Sequence, residues 1–167
     1  TLLEADSILG KNDSLRSRWK DVYARLTDFL FDPDEGWMIG RNRPYDMSHR
    51  HYSHLLMAYP LYLVNRDQPG GKEMIVKSVN HWQSIKGALE GYSRTGAASL
   101  YASVGEGDKA LAYLEEFMQK SMQPNTCYQE GGNPVIETPL SAARALLDMA
   151  LQSWGGKIRI FPAIPGI

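Results

Sequence analysis

Four stripes of apolar residues, each repeating at steps of three and four positions, constrain the fold of this chain more than any other feature. Such spacing places apolar side chains on one face of an α-helix, and that face must be buried against another element. The stripes lie at 15–29, 75–89, 110–118 and 140–154. Only residues 157–164 alternate as a β-strand does. The sequence therefore predicts an all-α fold with a short β segment at its C-terminus.

Residues with known preferences for helix ends mark two of these helices. Asp108 opens the third helix, and Thr138 is placed to cap the fourth. Pro139 suits the first helical position, since its missing N–H would have no partner there. Shorter helices are predicted at 53–59 and 96–104.

Two long loops, at 32–47 and 123–137, interrupt the helices. They are rich in Gly, Pro, Asn and Asp, and they carry the aromatic residues Trp37, Tyr45 and Tyr128. Loops longer than about 12 residues in a compact domain are usually functional or disordered. Aromatic residues within them favour a functional role, because aromatic rings can stack on the apolar face of a sugar.

Composition excludes several classes of function. With 43% hydrophobic and 22% charged residues, the chain is globular in composition. A net charge of -1 gives no attraction to nucleic acid or to an anionic membrane. No apolar run approaches the roughly 20 residues that cross a bilayer. Cys127 is the single cysteine, so no internal disulfide can form.

The segment SHRHYSHLLMAYP, at 48–60, places His49, His51 and His54 close together, with Arg50 between the first two. Three imidazoles could bind zinc, but the permanent charge of Arg50 disfavours a nearby dication. Alternatively, a serine of the segment could cap a short helix while His54 bonds to nearby backbone. In the third interpretation, the imidazoles and the guanidinium form the polar floor of a pocket that holds sugar hydroxyls.

A second group of polar residues lies in the other loop, where Glu130 and Glu137 flank a Gly-Gly-Asn-Pro turn. Glu137 immediately precedes the last predicted helix, and helix N-termini favour an ionised carboxylate. Such a carboxylate can orient or deprotonate a water, which is the role of the base in an inverting glycosidase. Spacing alone leaves open the alternative that Glu137 only supplies favourable electrostatics at the helix start.

Together these segments resemble glycoside hydrolase family 95, the inverting α-L-fucosidases and their relatives. HRHYSHLLMAYP is similar to the family motif H-R-H-x-S-H-L-x-x-x-Y-P. VIETPLSAARALLDMALQSWGGKIRIFPAIP is similar to a later family segment, in which an acidic residue precedes a helix, a strand and P-A-x-P. The segment GYSRTGAASLYASVGEGDKALAYL fits between them. The resemblance covers most of the chain and implies an (α/α)6 toroid whose sugar pocket is built from long loops.

The resemblance also implies a domain organisation. Residues 1–155 would form the C-terminal part of the (α/α)6 catalytic domain, and 156–167 would be a strand leading toward a following β region. A complete toroid has six outer and six inner helices, so we expect this chain to be one portion of it. Helix faces left uncovered could then associate with other chains. The family resemblance further suggests a periplasmic or secreted protein.

Site residues follow from the resemblance, position by position. Arg50 and His51 look like the family's substrate-binding pair, and Glu137 stands where the family has an aspartate that helps to activate the attacking water. The residues expected more weakly to line the pocket are His49, His54, Trp37, Tyr45 and Asn133. The family's general-acid glutamate lies upstream of this chain, and no metal or organic cofactor is required.

The predicted function is therefore hydrolysis of O-glycosidic bonds in plant or host glycans, with a carbohydrate substrate as the partner. An alternative is a non-catalytic helical module that binds glycan or protein on the same scaffold. The third possibility is a metal-binding helical protein that uses the three histidines.

Overall fold

A computed structural model of the protein describes residues 1–166 and confirms that the chain is mostly helical. Its helices are α1 (Leu2–Leu9), α2 (Arg16–Ala24), a 3-10 turn (Ser53–Leu55), α3 (Gly71–Ser84), α4 (Gly91–Ser103), α5 (Gly107–Lys120) and α6 (Glu137–Ala150). Its strands form antiparallel pairs: β1 (Phe31–Asp32) with β2 (Gly36–Trp37), β3 (Gln129–Glu130) with β4 (Asn133–Pro134), and β5 (Leu151–Trp154) with β6 (Lys157–Ile160). The first two pairs lie within the two long loops.

Helix α4 is central to the core because it packs against α3, α5 and α6 and buries most of its side chains. Its middle reads Gly-Ala-Ala-Ser, and such small residues let neighbouring side chains approach the helix closely. Gly96 marks the tightest of these approaches. A Cβ atom at Gly96 would lie 2.7 Å from Cδ1 of Tyr52 and 3.4 Å from the Trp82 ring. The histidine-rich segment thus packs directly on α4 through Tyr52.

The C-terminal end differs from the sequence prediction. Leu151 and Trp154 continue an apolar helical stripe, but both lie in β5, after α6 has ended. Gly155 and Gly156, with φ of 60° and 70°, form the tight turn that pairs β5 with β6. Trp154 then stacks on Tyr62, with 4.8 Å between ring centroids. The helical prediction was wrong here because the glycine turn and this stacking outweigh the apolar spacing.

The start of α6 also differs in detail. The helix begins at Glu137, so Thr138 lies inside its first turn and the prediction that Thr138 caps it was wrong. Within residues 1–166, the buried hydroxyl of Thr138 has no hydrogen-bond partner. Pro139 occupies the third helical position, where a missing N–H still costs nothing.

Helices α1 and α2 form a hairpin at the surface, and Asp6 joins them. The carboxylate of Asp6 accepts the backbone N–H of Asp13 at 2.8 Å and pairs with Arg16. Helix α2 ends before Leu26 and Phe29, although both belong to its apolar stripe, and both are exposed. The second helix is therefore shorter than its apolar pattern predicts.

Large apolar side chains are exposed on several elements. A cleft of about 750 Å³ lies between α1 and α2, lined mainly by apolar residues. The exposed residues include Val22, Tyr23, Leu140, Leu146, Leu147, Ile158, Ile160 and Phe161. Large exposed apolar surfaces often mark contacts with another protein surface. In the part of the chain that the structure describes, no helix combines the length and hydropathy needed to cross a membrane.

Replacing Gly96 by Ala tests the contact between α4 and Tyr52. Alanine favours a helix over glycine by about 1 kcal/mol, but overpacking a core costs about 1–3 kcal/mol. We expect Gly96→Ala to lower the free energy of unfolding by about 1–2 kcal/mol in urea titrations. The cost should shrink when it is measured in a Tyr52→Leu background, since the obstructing ring is then absent. An equal cost in both backgrounds would show that another contact is responsible.

The exposed apolar residues predict that the isolated 167-residue chain associates with itself. Size-exclusion chromatography with light scattering should show a mass above 18.8 kDa that rises with concentration. Lysine in place of Leu146 and Leu147 should reduce this association, whereas Lys in place of exposed Gln119 should not. A wild-type chain that stays monomeric at all concentrations would contradict the expectation.

Candidate functional site

The histidine-rich segment is held through its backbone. The carbonyl oxygen of His49 accepts a hydrogen bond from Nε1 of Trp82 at 2.9 Å. The carbonyl oxygen of Arg50 accepts one from the Ser93 hydroxyl at 3.0 Å. The His49 side chain is exposed, while those of Arg50 and His51 are partly exposed. The core thus fixes the backbone of this segment and leaves its polar side chains accessible.

The first turn of α4 contacts both the histidine-rich segment and the second long loop, at 123–137. The Ser93 hydroxyl that binds Arg50 also accepts the N–H of Glu90 at 3.1 Å, as part of a capping box. The N–H of Gly91 donates to the phenol oxygen of Tyr128 at 2.8 Å. A Cβ atom on Gly91 would lie 2.6 Å from that oxygen, so glycine is needed for the approach. This turn therefore brings the histidine-rich segment and the second long loop together.

Arg50 lies between His51 and Glu130. Its Nη1 atom is 2.6 Å from Oε2 of Glu130, and its Nε donates to Nε2 of His51 at 3.3 Å. The Tyr128 hydroxyl donates to Oε1 of Glu130 at 2.7 Å. Burial, followed by this bond to Glu130, raises the pKa of Tyr128, so the phenol remains a donor. Both oxygens of the shielded Glu130 carboxylate therefore have partners, as a charge largely removed from water requires.

His51 is neutral at ordinary pH. Burial, followed by the charges of Arg50 and His49, lowers its pKa, and the carboxylates of Glu130 and Glu137 oppose this change. Because Nε2 accepts a hydrogen bond from Arg50, the ring proton lies on Nδ1. A neutral imidazole next to a guanidinium can donate and accept hydrogen bonds, which suits the hydroxyl groups of a sugar.

Glu137 is the first residue of α6, and its side chain is exposed. Its charge acts on His51, as does that of Glu130, and Glu130 pairs with Arg50. We call the set of Arg50, His51, Glu130 and Glu137 the candidate site.

The remaining predicted pocket residues take different positions. Trp37 is 3% exposed and packs edge-on against Phe31, so its ring offers no open face to a ligand. Tyr45 and His54 stack with 4.1 Å between centroids, and His54 lines a separate cleft of about 540 Å³ beside 27–41. Asn133 is exposed and lies opposite Glu130 in the β3–β4 hairpin.

The three histidines do not converge on one point. The rings of His49 and His51 are 5.1 Å apart, whereas His54 is stacked on Tyr45. In residues 1–166, no group of three His, Cys, Asp or Glu side chains is placed to hold a metal ion. The geometry of these side chains gives no support to the zinc interpretation.

The sequence did not predict that Glu130 pairs with Arg50 or that Tyr128 donates to Glu130. Glu130 was recognised only as a carboxylate beside the turn, and Tyr128 only as a loop aromatic. One signal in the sequence could have indicated them. Arg50 has no acidic residue near it in its own segment, and a guanidinium that is partly buried needs a carboxylate partner from elsewhere.

Comparison with known families gives a match over most of the chain. Residues 1–139 match the model of the glycosyl hydrolase family 95 catalytic domain. The matched range includes both long loops and all four residues of the candidate site. No curated protein matches the chain.

His54 makes stability depend on pH in a way that unfolding can test. Burial, reinforced by His81, lowers its pKa to about 4, compared with about 6.5 in an unfolded chain. As the pH falls below about 6.5, the unfolded state binds the proton first, so stability is lost until about pH 4. Above that window both states are neutral, and this contribution is fully present.

We therefore expect the free energy of unfolding of the wild type, measured in urea titrations, to fall between about pH 7 and pH 4. The fall in His54→Gln should be smaller by about 2–3 kcal/mol. The exposed His49→Gln variant is the control and should follow the wild-type profile. If His54→Gln also follows that profile, His54 does not titrate as its burial predicts.

Proposed function

Because the chain belongs to glycosyl hydrolase family 95, we propose that it forms part of the catalytic domain of an inverting, α-L-fucosidase-like exo-glycosidase. The family supports a glycoside hydrolase, and the substrates proposed are plant or host glycans. The observation that carries the proposal is that Arg50 contacts both His51 and Glu130 beside the first turn of α4, with the charge of Glu137 also acting on His51.

In this proposal, Arg50 and His51 hold hydroxyl groups of the sugar. The Arg50 side chain is 43% exposed even though it is paired with Glu130, so part of the guanidinium can still reach a ligand. A guanidinium carries five N–H donors in a fixed plane, and one carboxylate does not use them all. The neutral ring of His51 adds a donor on Nδ1 beside it.

Glu137 is the proposed base. Its carboxylate orients a water molecule and takes its proton as the water attacks the anomeric carbon. Inversion requires an acid on the other side of the sugar, about 6.5–9.5 Å from the base. We propose that a glutamate outside this chain supplies that acid and protonates the leaving oxygen.

The proposed architecture is an (α/α)6 toroid. Residues 1–155 supply helices to its C-terminal part, and 156–167 lead toward a β region. The exposed apolar faces of α1, α2 and α6 support this view, because other helices of a toroid would cover them. The hairpin turn at 155–156 lies at the proposed boundary. The proposal extends to a periplasmic or secreted location, where extracellular glycans are accessible.

A non-catalytic glycan- or protein-binding module on the same scaffold is not favoured, because the matching model is that of a catalytic domain. The two functions differ in one measurable respect. A binding module would bind sugar with no turnover, whereas the proposed enzyme would release a sugar of inverted anomeric configuration.

Replacing Glu137 by Gln in the full-length protein tests the proposal. We expect kcat on an α-L-fucosylated oligosaccharide to fall by about 10²–10⁴-fold, because the water loses its base. Binding of the same sugar, measured by calorimetry, should change by less than about threefold, since Glu137 is not a proposed hydroxyl ligand. Proton NMR of the wild-type reaction should show the inverted anomer first.

The matched control is Glu73→Gln, which removes an exposed carboxylate from the first turn of α3. It should leave kcat and binding unchanged. Normal turnover by Glu137→Gln would remove Glu137 from the mechanism, and a retained anomeric configuration would exclude inversion.

A further inference from the structure

We infer that Glu130 is a positioning residue that holds the guanidinium of Arg50 in its sugar-binding orientation, and that Tyr128 fixes Glu130 in turn. This inference rests on the proposed function, because it takes Arg50 to be a ligand of the sugar. Neither Glu130 nor Tyr128 is itself proposed to touch the substrate.

The contacts form a continuous series from the core to the site. The N–H of Gly91, at the start of α4, donates to the Tyr128 hydroxyl at 2.8 Å. That hydroxyl donates to Oε1 of Glu130 at 2.7 Å, and Oε2 of Glu130 is 2.6 Å from Nη1 of Arg50. Each group is thus fixed by the one before it. The orientation of the guanidinium therefore follows from the position of α4.

Burial decreases outward along this series. Tyr128 is 4% exposed as a residue, and the side chain of Glu130 is 9% exposed, whereas that of Arg50 is 43% exposed. A long side chain that is almost half exposed would otherwise sample several rotamers, and ligand binding would have to restrict them. A fixed carboxylate restricts them beforehand, which is the effect expected of a positioning residue.

Arg50 is held at both ends. Its carbonyl oxygen accepts the Ser93 hydroxyl, and its guanidinium pairs with Glu130. Both restraints originate in the first turn of α4, since Ser93 is its third residue and Gly91 its first. The β3–β4 hairpin fixes the backbone of Glu130 as well, through its pairing with Asn133.

Charge gives a second reason for a carboxylate at this place. Arg50 stands between His49 and His51, and its permanent charge lowers the pKa of His51. Glu130 balances that charge locally and raises the cost of moving the guanidinium away. Without a negative group, the guanidinium would be drawn toward solvent, because water solvates it better than a half-buried site does.

Kinetics of the full-length protein on the α-L-fucosylated oligosaccharide test this role. For Glu130→Gln we expect KM to rise about tenfold while kcat changes less than about threefold, because substrate binding is weakened and the chemistry is not. Tyr128→Phe should raise KM by about threefold, since Glu130 keeps its charge but loses its donor. Glu130→Asp, which retains the charge, should fall between wild type and Glu130→Gln.

The control is Glu106→Gln. Glu106 is also ion-paired, to Lys72 at 2.5 Å and to Lys109 at 3.3 Å, but it lies at the start of α5, outside the candidate site. Its variant should leave KM unchanged. Thermal unfolding of every variant separates a loss of folding from a loss of binding, and the conservative Tyr128→Phe and Glu130→Asp changes serve if Glu130→Gln does not fold.

Combination with Arg50→Lys decides whether Glu130 acts through Arg50. If it does, the double variant Glu130→Gln/Arg50→Lys should have nearly the same KM as Arg50→Lys alone. The control Glu106→Gln should have the same effect on KM in the wild type as in the Arg50→Lys background. Full additivity of Glu130→Gln with Arg50→Lys would overturn the inference, and so would a fall in kcat with KM unchanged.

The outcomes also separate this inference from the proposed function. An unchanged KM in Glu130→Gln, with a raised KM in Arg50→Lys, would overturn the positioning role alone. An unchanged KM in Arg50→Lys would overturn the proposal that Arg50 binds the sugar, and the inference about Glu130 with it.

Discussion

The hydrogen bonds that the first turn of α4 makes to the histidine-rich segment and to the second long loop are the interaction on which the candidate site depends. Ser93 holds the backbone of Arg50, while the N–H of Gly91 holds Tyr128 and, through it, Glu130. Helix N-termini carry N–H groups without intrahelical partners, and these groups can therefore bind other segments. Here the N–H of Gly91 and the hydroxyl of Ser93 fix the second long loop and the histidine-rich segment relative to each other, because α4 itself packs against three other helices.

The small residues of α4 make this arrangement possible. A side chain at Gly91 would collide with Tyr128, and one at Gly96 would collide with Tyr52 of the histidine-rich segment. The same helix therefore allows the second long loop and the histidine-rich segment to approach closely. The small residues of this helix therefore matter because they leave space for neighbouring side chains, while its larger residues fill the core. A site built in this way places polar groups on loops while a buried helix sets their positions.

The sequence predicted the helical class, the two long loops and the positions of α3, α5 and α6 well, because buried helical faces impose a regular apolar spacing. It failed at Leu151 and Trp154, where a Gly-Gly turn and stacking on Tyr62 outweigh that spacing. It also failed to distinguish the roles of loop aromatics. Trp37 is a core residue and Tyr128 donates a hydrogen bond to Glu130 of the candidate site, although both are aromatic residues in polar loops.

By itself the sequence determined the fold class and the family, since the histidine motif and the helix spacing are local patterns that can be compared directly. It also singled out Arg50, His51 and Glu137 as candidates. Only the tertiary structure decided that Arg50 pairs with Glu130, and that His54 lines a cleft beside 27–41 instead of joining His49 and His51. The physical reason is that an ion pair between distant residues depends on which backbones the core brings together, and no local spacing along the chain records that.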